Sequence, residues 1–410
     1  MTRWMVFYSL VIVLLHLVLY RQVRSSSLLG NISFYGTFAY LAILRVIHFA
    51  GLPPLKFIAN AIQLIMTLRV IGLSYEIVDA RNAKKDVVGQ QNGDAREKRF
   101  ILEPNSFEAF TYLYSFTGLF TGPYYTYQTY YDSIHSPNIP NIPVGKMVKE
   151  KIWTLSWSLP LLMLLYVLNP VEILKNEQIN NYSFITVMVL SALAFVYLRM
   201  RIYSAWMIAE SICICSGIGL YPKDCKPEPG HGPRDIDKYK ALANKENIVY
   251  SAEAIDNLDI PHVEASDGFR SGMRAWNRTV QFWLANFVYK RSNKAIRMPY
   301  TMFVSAFWHG IHPGYFLSFL TIPLCTAAED ILFKVVTADE KGKRPMWFQF
   351  IWGFIRMRGF EQMACGFLLL TWTDTIRLWS NVYWWLHITM ALVILLGKAY
   401  LMFGHKKKKE

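Results

Sequence analysis

What most constrains this chain is its succession of long apolar segments, one of which, residues 298–325, carries two histidines. Judged against ~20 residues per bilayer crossing, segments of spanning length occur at 4–20, 33–52, 55–75, 106–122, 152–169, 182–198, 202–220, 298–325, 363–380 and 383–403. Further apolar stretches at 326–337 and 346–356 are too short or too interrupted to count. Inside lipid the backbone must satisfy its own hydrogen bonds, so such segments fold as helices. The expected fold is therefore all-α: a polytopic integral membrane protein of about nine to eleven transmembrane helices, with re-entrant or interfacial helices besides. A chain that is 53% hydrophobic and 15% aromatic, with a mean hydropathy of +0.21, is too apolar for an ordinary soluble protein of this length.

Charge is concentrated in loops and ends. The net charge of +14 gathers at Arg81, Lys84, Lys85, Arg96, Lys98 and Arg99, at Lys146, Lys149 and Lys151, at Lys341, Lys343 and Arg344, and at Lys406 to Lys409. Clusters of this kind mark cytosolic loops and favour anionic lipid headgroups. Nucleic-acid binding needs a basic face on a soluble module, and none is present. The expected organisation is a single membrane domain over 1–410, with hydrophilic loops at 80–100 and 221–266 and a basic tail at 404–410. The first segment reads as a retained anchor, since no small-residue cleavage site precedes Arg21. Five cysteines at spacings that suit neither zinc nor a disulfide framework read as reduced packing residues.

An ionisable side chain at membrane depth points to function. Taken as one helix, residues 298–325 place Thr301, Ser305, His309 and His312 at i, i+4, i+8 and i+11 on one face, which must look into protein or a wet cavity. On pattern alone His309 suits a catalytic base and an interhelical hydrogen-bonding residue equally. His309 and His312 could also be two metal ligands, but no near carboxylate or cysteine completes a set, and Glu329 and Asp330 lie far along the chain; no metal is expected. Pro313-Gly314 should bend the segment or end a helix. Trp276, Trp308 and Tyr315 could line an acyl tunnel or simply pack.

A second polar stripe precedes this one. On a helical wheel over 269–284, Arg270, Arg274, Asn277, Arg278 and Gln281 share a face, with Ala275, Trp276, Val280 and Trp283 on others. The pattern reads as an interfacial amphipathic helix. Its arginines are candidates for phosphate, since a planar guanidinium matches phosphate oxygens, and Asn277 or Gln281 could read a polyol. Asp374 and Arg377, at i and i+3, are expected to pair with each other, and Arg199 and Arg201 are spaced to pair locally with Glu210.

At Trp276-Asn277-Arg278-Thr279-Val280-Gln281 and Trp308-His309-Gly310-Ile311-His312-Pro313-Gly314-Tyr315 the chain resembles the membrane-bound O-acyltransferases, which pair an asparagine with a histidine about thirty residues later. The stretches Phe57 to Leu64, Thr121 to Tyr130 and Ala364 to Arg377 are similar to the lysophospholipid branch, and to its lysophosphatidylinositol acyltransferases in particular. The resemblance implies a central catalytic tunnel, acyl-CoA as co-substrate with no permanently bound cofactor, and a lysophospholipid acceptor acylated at its sn-2 hydroxyl. Lysophosphatidylinositol and a polyunsaturated chain are the implied pair, with lysophosphatidylserine or lysophosphatidylcholine as alternative acceptors. His309 would be the general base, since an apolar segment disfavours the charged imidazole. Asn277 would donate to the oxyanion or orient the nucleophile. No Gly-x-Ser-x-Gly turn offers a covalent nucleophile, so transfer is expected to be direct. A transporter or silent lipid-binding protein is the reading from another class; the first predicts a pseudo-repeat that is not visible, the second the loss of His309 or Asn277, and both are present. Partners are thus the two substrates and the bilayer, with none identified among proteins. Lys407-Lys408-Lys409-Glu410 resembles a dilysine retrieval signal, implying the endoplasmic reticulum membrane and a cytosolic tail.

Overall fold

The computed structural model describes residues 2–53, 55–89, 103–135, 142–242, 245 and 248–406. Through them run α1 (Thr2–Gln22), α2 (Ser26–Val46), α3 (Phe57–Gly89), α4 (Ser106–Leu113), α5 (Tyr127–His135), α6 (Val144–Trp153), α7 (Leu155–Leu168), α8 (Pro170–Lys175) and α9 (Phe184–Cys215). They continue with α10 (Ile236–Leu242), α11 (Ile260–Ala265), α12 (Phe269–Ala275), α13 (Arg278–Phe287), α14 (Arg297–His309), α15 (Pro313–Val335), α16 (Met346–Leu369), α17 (Trp372–Asn381) and α18 (Trp385–Lys406). Strand pairing among the described residues is limited to two short antiparallel ladders within 221–251 and one isolated bridge. The fold is all-α and membrane-embedded. Six described helical segments are long and apolar enough to cross a bilayer: Ser27–Ala50, Phe57–Ala83, Val144–Lys175, Phe184–Cys215, Pro313–Val335 and Trp385–Met402. Of the expected 80–100 loop, residues 80–89 are the end of α3, while 90–100 and the residues of the dilysine pattern lie outside the described residues.

By packing, the chain divides into two compact units. The first comprises Met1–Thr154, Ala205–Asn257 and Arg278–Phe287. Its core is built on α3, whose Met66, Val70, Leu73 and Ile77 recur at helical spacing and are buried. The expected span at 106–122 is not a helix of that length, because α4 stops at Leu113. Buried Arg69 on α3 takes the carbonyls of Tyr112 and Leu113 at 3.2 Å and of Ser115 at 2.7 Å, together with that of Thr117, and donates to the Tyr125 hydroxyl at 2.9 Å. Unwound backbone is tolerated in an apolar region only where protein satisfies it, and one guanidinium does so here.

The second unit comprises Leu155–Ser204, Leu258–Asn277 and Val288–Glu410. Phe269, Cys325, Ala328, Trp352, Leu386 and Met390 form one of its buried clusters. Two expected spans, 182–198 and 202–220, are one helix, α9. No glycine or proline interrupts 184–215, and Arg199, instead of breaking the helix, pairs with Glu264 and lies 4.7 Å from the Phe195 ring centre. The 326–337 and 346–356 stretches are parts of α15 and α16, and the expected 363–380 span is split at Leu370–Thr371 between α16 and α17. All five cysteines are free, and four are buried.

Candidate active site

The 298–325 segment is a hairpin of two helices, which corrects its reading as one continuous helix. Helix α14 closes at His309, where the Gly310 N–H donates to the Ala306 carbonyl at 3.1 Å. Proline disfavours helical backbone in the residue before it, and His312 is accordingly extended at φ −69° and ψ 131°. Pro313 then opens α15, where its missing N–H costs nothing. Thr301 and Ser305 stay buried on α14 as expected, but His312 leaves that face and is exposed at the turn.

The His309 imidazole is half-buried among rings. Phe319 stacks against it at 5.2 Å between centroids, Phe367 stands edge-on at 5.1 Å, and Trp308 and Tyr315 lie at 4.7 and 5.9 Å. Tyr315 and Phe319 come from one face of α15, a turn apart, and Phe367 comes from the end of α16. That end is fastened to the hairpin: the Gly314 N–H donates to the Leu370 carbonyl at 2.8 Å and the Ser318 hydroxyl to that of Met363 at 2.6 Å. His312 touches the Tyr315 ring edge at 5.9 Å. A cavity of about 560 Å³ lies beside the same turn, between α15 residues such as Phe316 and Leu320 and the Trp379, Trp384 and His387 side chains. Its α15 wall is turned away from Tyr315 and Phe319, so its lining is not that of the imidazole.

Asn277 is in neither helix that flanks it. The structure replaces the expected continuous helix over 269–284 with α12 and α13, separated by Trp276 and Asn277. Trp276 is extended, at φ −103° and ψ 130°, and forms an isolated antiparallel bridge with Leu258. The Asp259 N–H reinforces it at the Ala275 carbonyl, 3.0 Å away. Asn277 then takes φ 51°, a left-handed conformation that asparagine tolerates better than most residues. The helical wheel over 269–284 therefore does not carry through Trp276 and Asn277.

Two of the three candidate phosphate arginines are committed elsewhere. Arg270 holds both Asp330 oxygens, at 2.8 and 2.7 Å. Arg278 holds Glu253 and, at 3.2 Å, Asp256 within the first unit, and Gln281 follows it on α13. Arg274 is exposed on α12 and has no ion-pair partner among the described residues. Asp374 and Arg377 do pair, and Arg377 also reaches the Lys175 carbonyl at 2.7 Å. Glu210, expected to pair along its own helix, instead takes Lys151 at 2.7 Å. The sequence reading missed Phe319 and Phe367 as walls of the site. Their signals were the Tyr315–Phe319 spacing and the Ala364-Cys365-Gly366-Phe367 motif.

The sequence model of the membrane-bound O-acyltransferase family matches residues 55–360, which include both Asn277 and His309. The chain belongs to that family. It is an acyltransferase of the membrane, with relatives matched over most of their length. A membrane-bound acylglycerophosphatidylinositol O-acyltransferase of Caenorhabditis elegans is 45% identical over 359 residues, 86% of this chain and 77% of that one. Proteins of the same description from Xenopus laevis and Homo sapiens are 35% and 33% identical, over 91% and 88% of this chain and 80% and 78% of theirs.

Proposed function

We propose that this acyltransferase moves a polyunsaturated fatty acyl group from acyl-CoA to the sn-2 hydroxyl of lysophosphatidylinositol. One observation carries the chemistry: a half-buried imidazole at the end of a helix, walled by four aromatic rings in an apolar segment. The acceptor is carried by the names of the relatives. In the transfer, His309 takes the proton of the acceptor hydroxyl as its oxygen attacks the thioester carbonyl. The tetrahedral oxyanion is met by the Asn277 amide. Its collapse breaks the carbon–sulfur bond, and the imidazolium returns the proton to the departing thiolate, so free coenzyme A and the new ester leave together. Arg274, which has no ion-pair partner among the described residues, faces the acceptor's phosphate. The apolar wall keeps water from competing with the lipid hydroxyl for the acyl group. The terminal lysines support an endoplasmic reticulum address with a cytosolic tail.

Microsomes containing the chain or its His309→Ala version, given arachidonoyl-CoA and a mixture of lysophosphatidylinositol, lysophosphatidylserine and lysophosphatidylcholine, test the proposal. Phosphatidylinositol formed by the intact chain alone is the expected result. Another phospholipid product reassigns the headgroup, and equal activity of the two versions removes His309 from the reaction.

A further inference from the structure

The segment that ends at Asn277 is held by two buried charges that the transfer chemistry does not use. Glu329, 2% exposed on α15, accepts the Phe269 N–H, the Arg270 N–H at 3.1 Å and the Trp352 indole N–H at 3.2 Å. The first two are the leading donors of α12, where a carboxylate is favoured by both hydrogen bonding and the helix dipole. The approach is close: a Cβ on Gly268 would lie 2.7 Å from the Glu329 carboxyl carbon. From α16, Arg356, also 2% exposed, donates to the carbonyls of Val263 and Glu264 at 3.0 and 2.8 Å and to the Ser266 hydroxyl at 2.8 Å. A carboxylate thus grips the start of α12 and a guanidinium the end of α11.

Both grips come from the helices that build the histidine's surroundings. Helix α15 starts at the His309 turn, and Glu329 lies fourteen residues beyond Tyr315, about 21 Å at ~1.5 Å per residue. Helix α16 supplies Phe367 at its other end. We infer that Glu329 is a positioning residue: by capping α12 it fixes Trp276 and Asn277 against the α15–α16 frame that carries His309. This rests on the reading that Asn277 and His309 are the reacting pair. Neither residue's position needs the substrate, so loss of the cap disturbs geometry in the transition state more than binding.

The test uses the full chain, with turnover normalised to folded enzyme by size-exclusion fluorescence. In Glu329→Gln, kcat should fall at least tenfold while KM for acyl-CoA and lysophosphatidylinositol stays within twofold. Glu329→Asp, which keeps the carboxylate, should recover part of the loss. Unchanged kcat per folded molecule, or a loss seen only in the amount of folded enzyme, overturns the inference. If Glu329→Gln does not fold, Gly268→Ala, which presses a methyl group on an intact carboxylate, carries the same expectation and the same refutation. Asn277→Ala separates the two claims: full kcat there removes the reacting pair, whereas an inactive Asn277→Ala beside an unaffected Glu329→Gln removes only the positioning role.

Discussion

Gly314→Ala should damage both stability and turnover. A Cβ at Gly314 would sit 2.9 and 3.0 Å from the Cα and carbonyl carbon of Leu370, and nearer still to the Gly366 oxygen. These are backbone atoms of the last turns of α16 and cannot rotate away. Restoring ordinary contact needs about half an ångström of separation at the least, since carbon atoms pack at ~3.5 Å or more. That withdrawal stretches the 2.8 Å hydrogen bond from the Gly314 N–H to the Leu370 carbonyl towards the limit of useful geometry. The lost bond costs about 1 kcal/mol and overpacking about 1–3 kcal/mol, roughly 2–4 kcal/mol together. His309 lies five residues before the insertion point, and Phe367 is on the helix being pushed away, so the imidazole loses its alignment too. A misplacement of about 1 Å can cost on the order of a hundredfold in rate; a tenfold or greater fall in kcat per folded enzyme is expected. Gly353→Ala, earlier on α16, is the matched control, because its Cβ meets nothing within 4 Å. Thermal unfolding in detergent and acyl transfer at saturating substrates measure the two effects. Gly314→Ala with the parent's melting temperature and turnover would refute the tight α15–α16 contact.

Three other outcomes are expected. Arg69→Lys replaces a forked donor to five acceptors with an ammonium that has three protons, so at least two buried acceptors lose their partner at about 1–3 kcal/mol each; an unchanged thermal midpoint would refute the role given to Arg69. Arg274→Ala should raise KM more for an anionic lysophospholipid than for a zwitterionic one, and an equal effect on both would deny it the headgroup. Burial, then the neighbouring Asp235 and Asp224 carboxylates, push the Cys225 thiol from its ordinary 9 up to about 11. Its raised value makes the contribution to stability complete below pH 9 and lost as pH rises through about 11, so at pH 7 a maleimide should label Cys225 far more slowly in the folded chain than in denatured chain; equal rates would contradict the burial.

The helical membrane fold was legible because apolar length alone carries it, and His309 was singled out because an ionisable ring in residues 298–325 stands out. What could not be read locally depends on partners distant in sequence. The expected spans 182–198 and 202–220 stopped short of Arg199 and Arg201, yet Glu264, sixty-five residues on, pairs with Arg199 and the helix runs through. The 106–122 run has the hydropathy of a span, but its backbone unwinds because Arg69, on another helix, supplies the hydrogen bonds. Wheel geometry grouped Arg270, Arg274 and Arg278, whereas Asp330, Glu253 and Asp256 claim two of them. The extended Trp276 likewise depends on Leu258, a pairing no periodicity encodes.

A charge in an apolar chain is therefore ambiguous until its distant partners are known. Arg69, Arg199, Glu329 and Arg356 are all buried or nearly so, and each spends hydrogen bonds on backbone, on a neutral side chain or on an opposite charge. They hold helices at fixed offsets, a task dispersion forces between apolar helices perform with less directional precision. Arg274 differs in being exposed and unpaired among the described residues, and His309 differs in standing half-buried among four aromatic rings. Arg274 and His309 lie in the same packing unit as Asn277. An acyl transfer to an anionic lipid needs those three kinds of group.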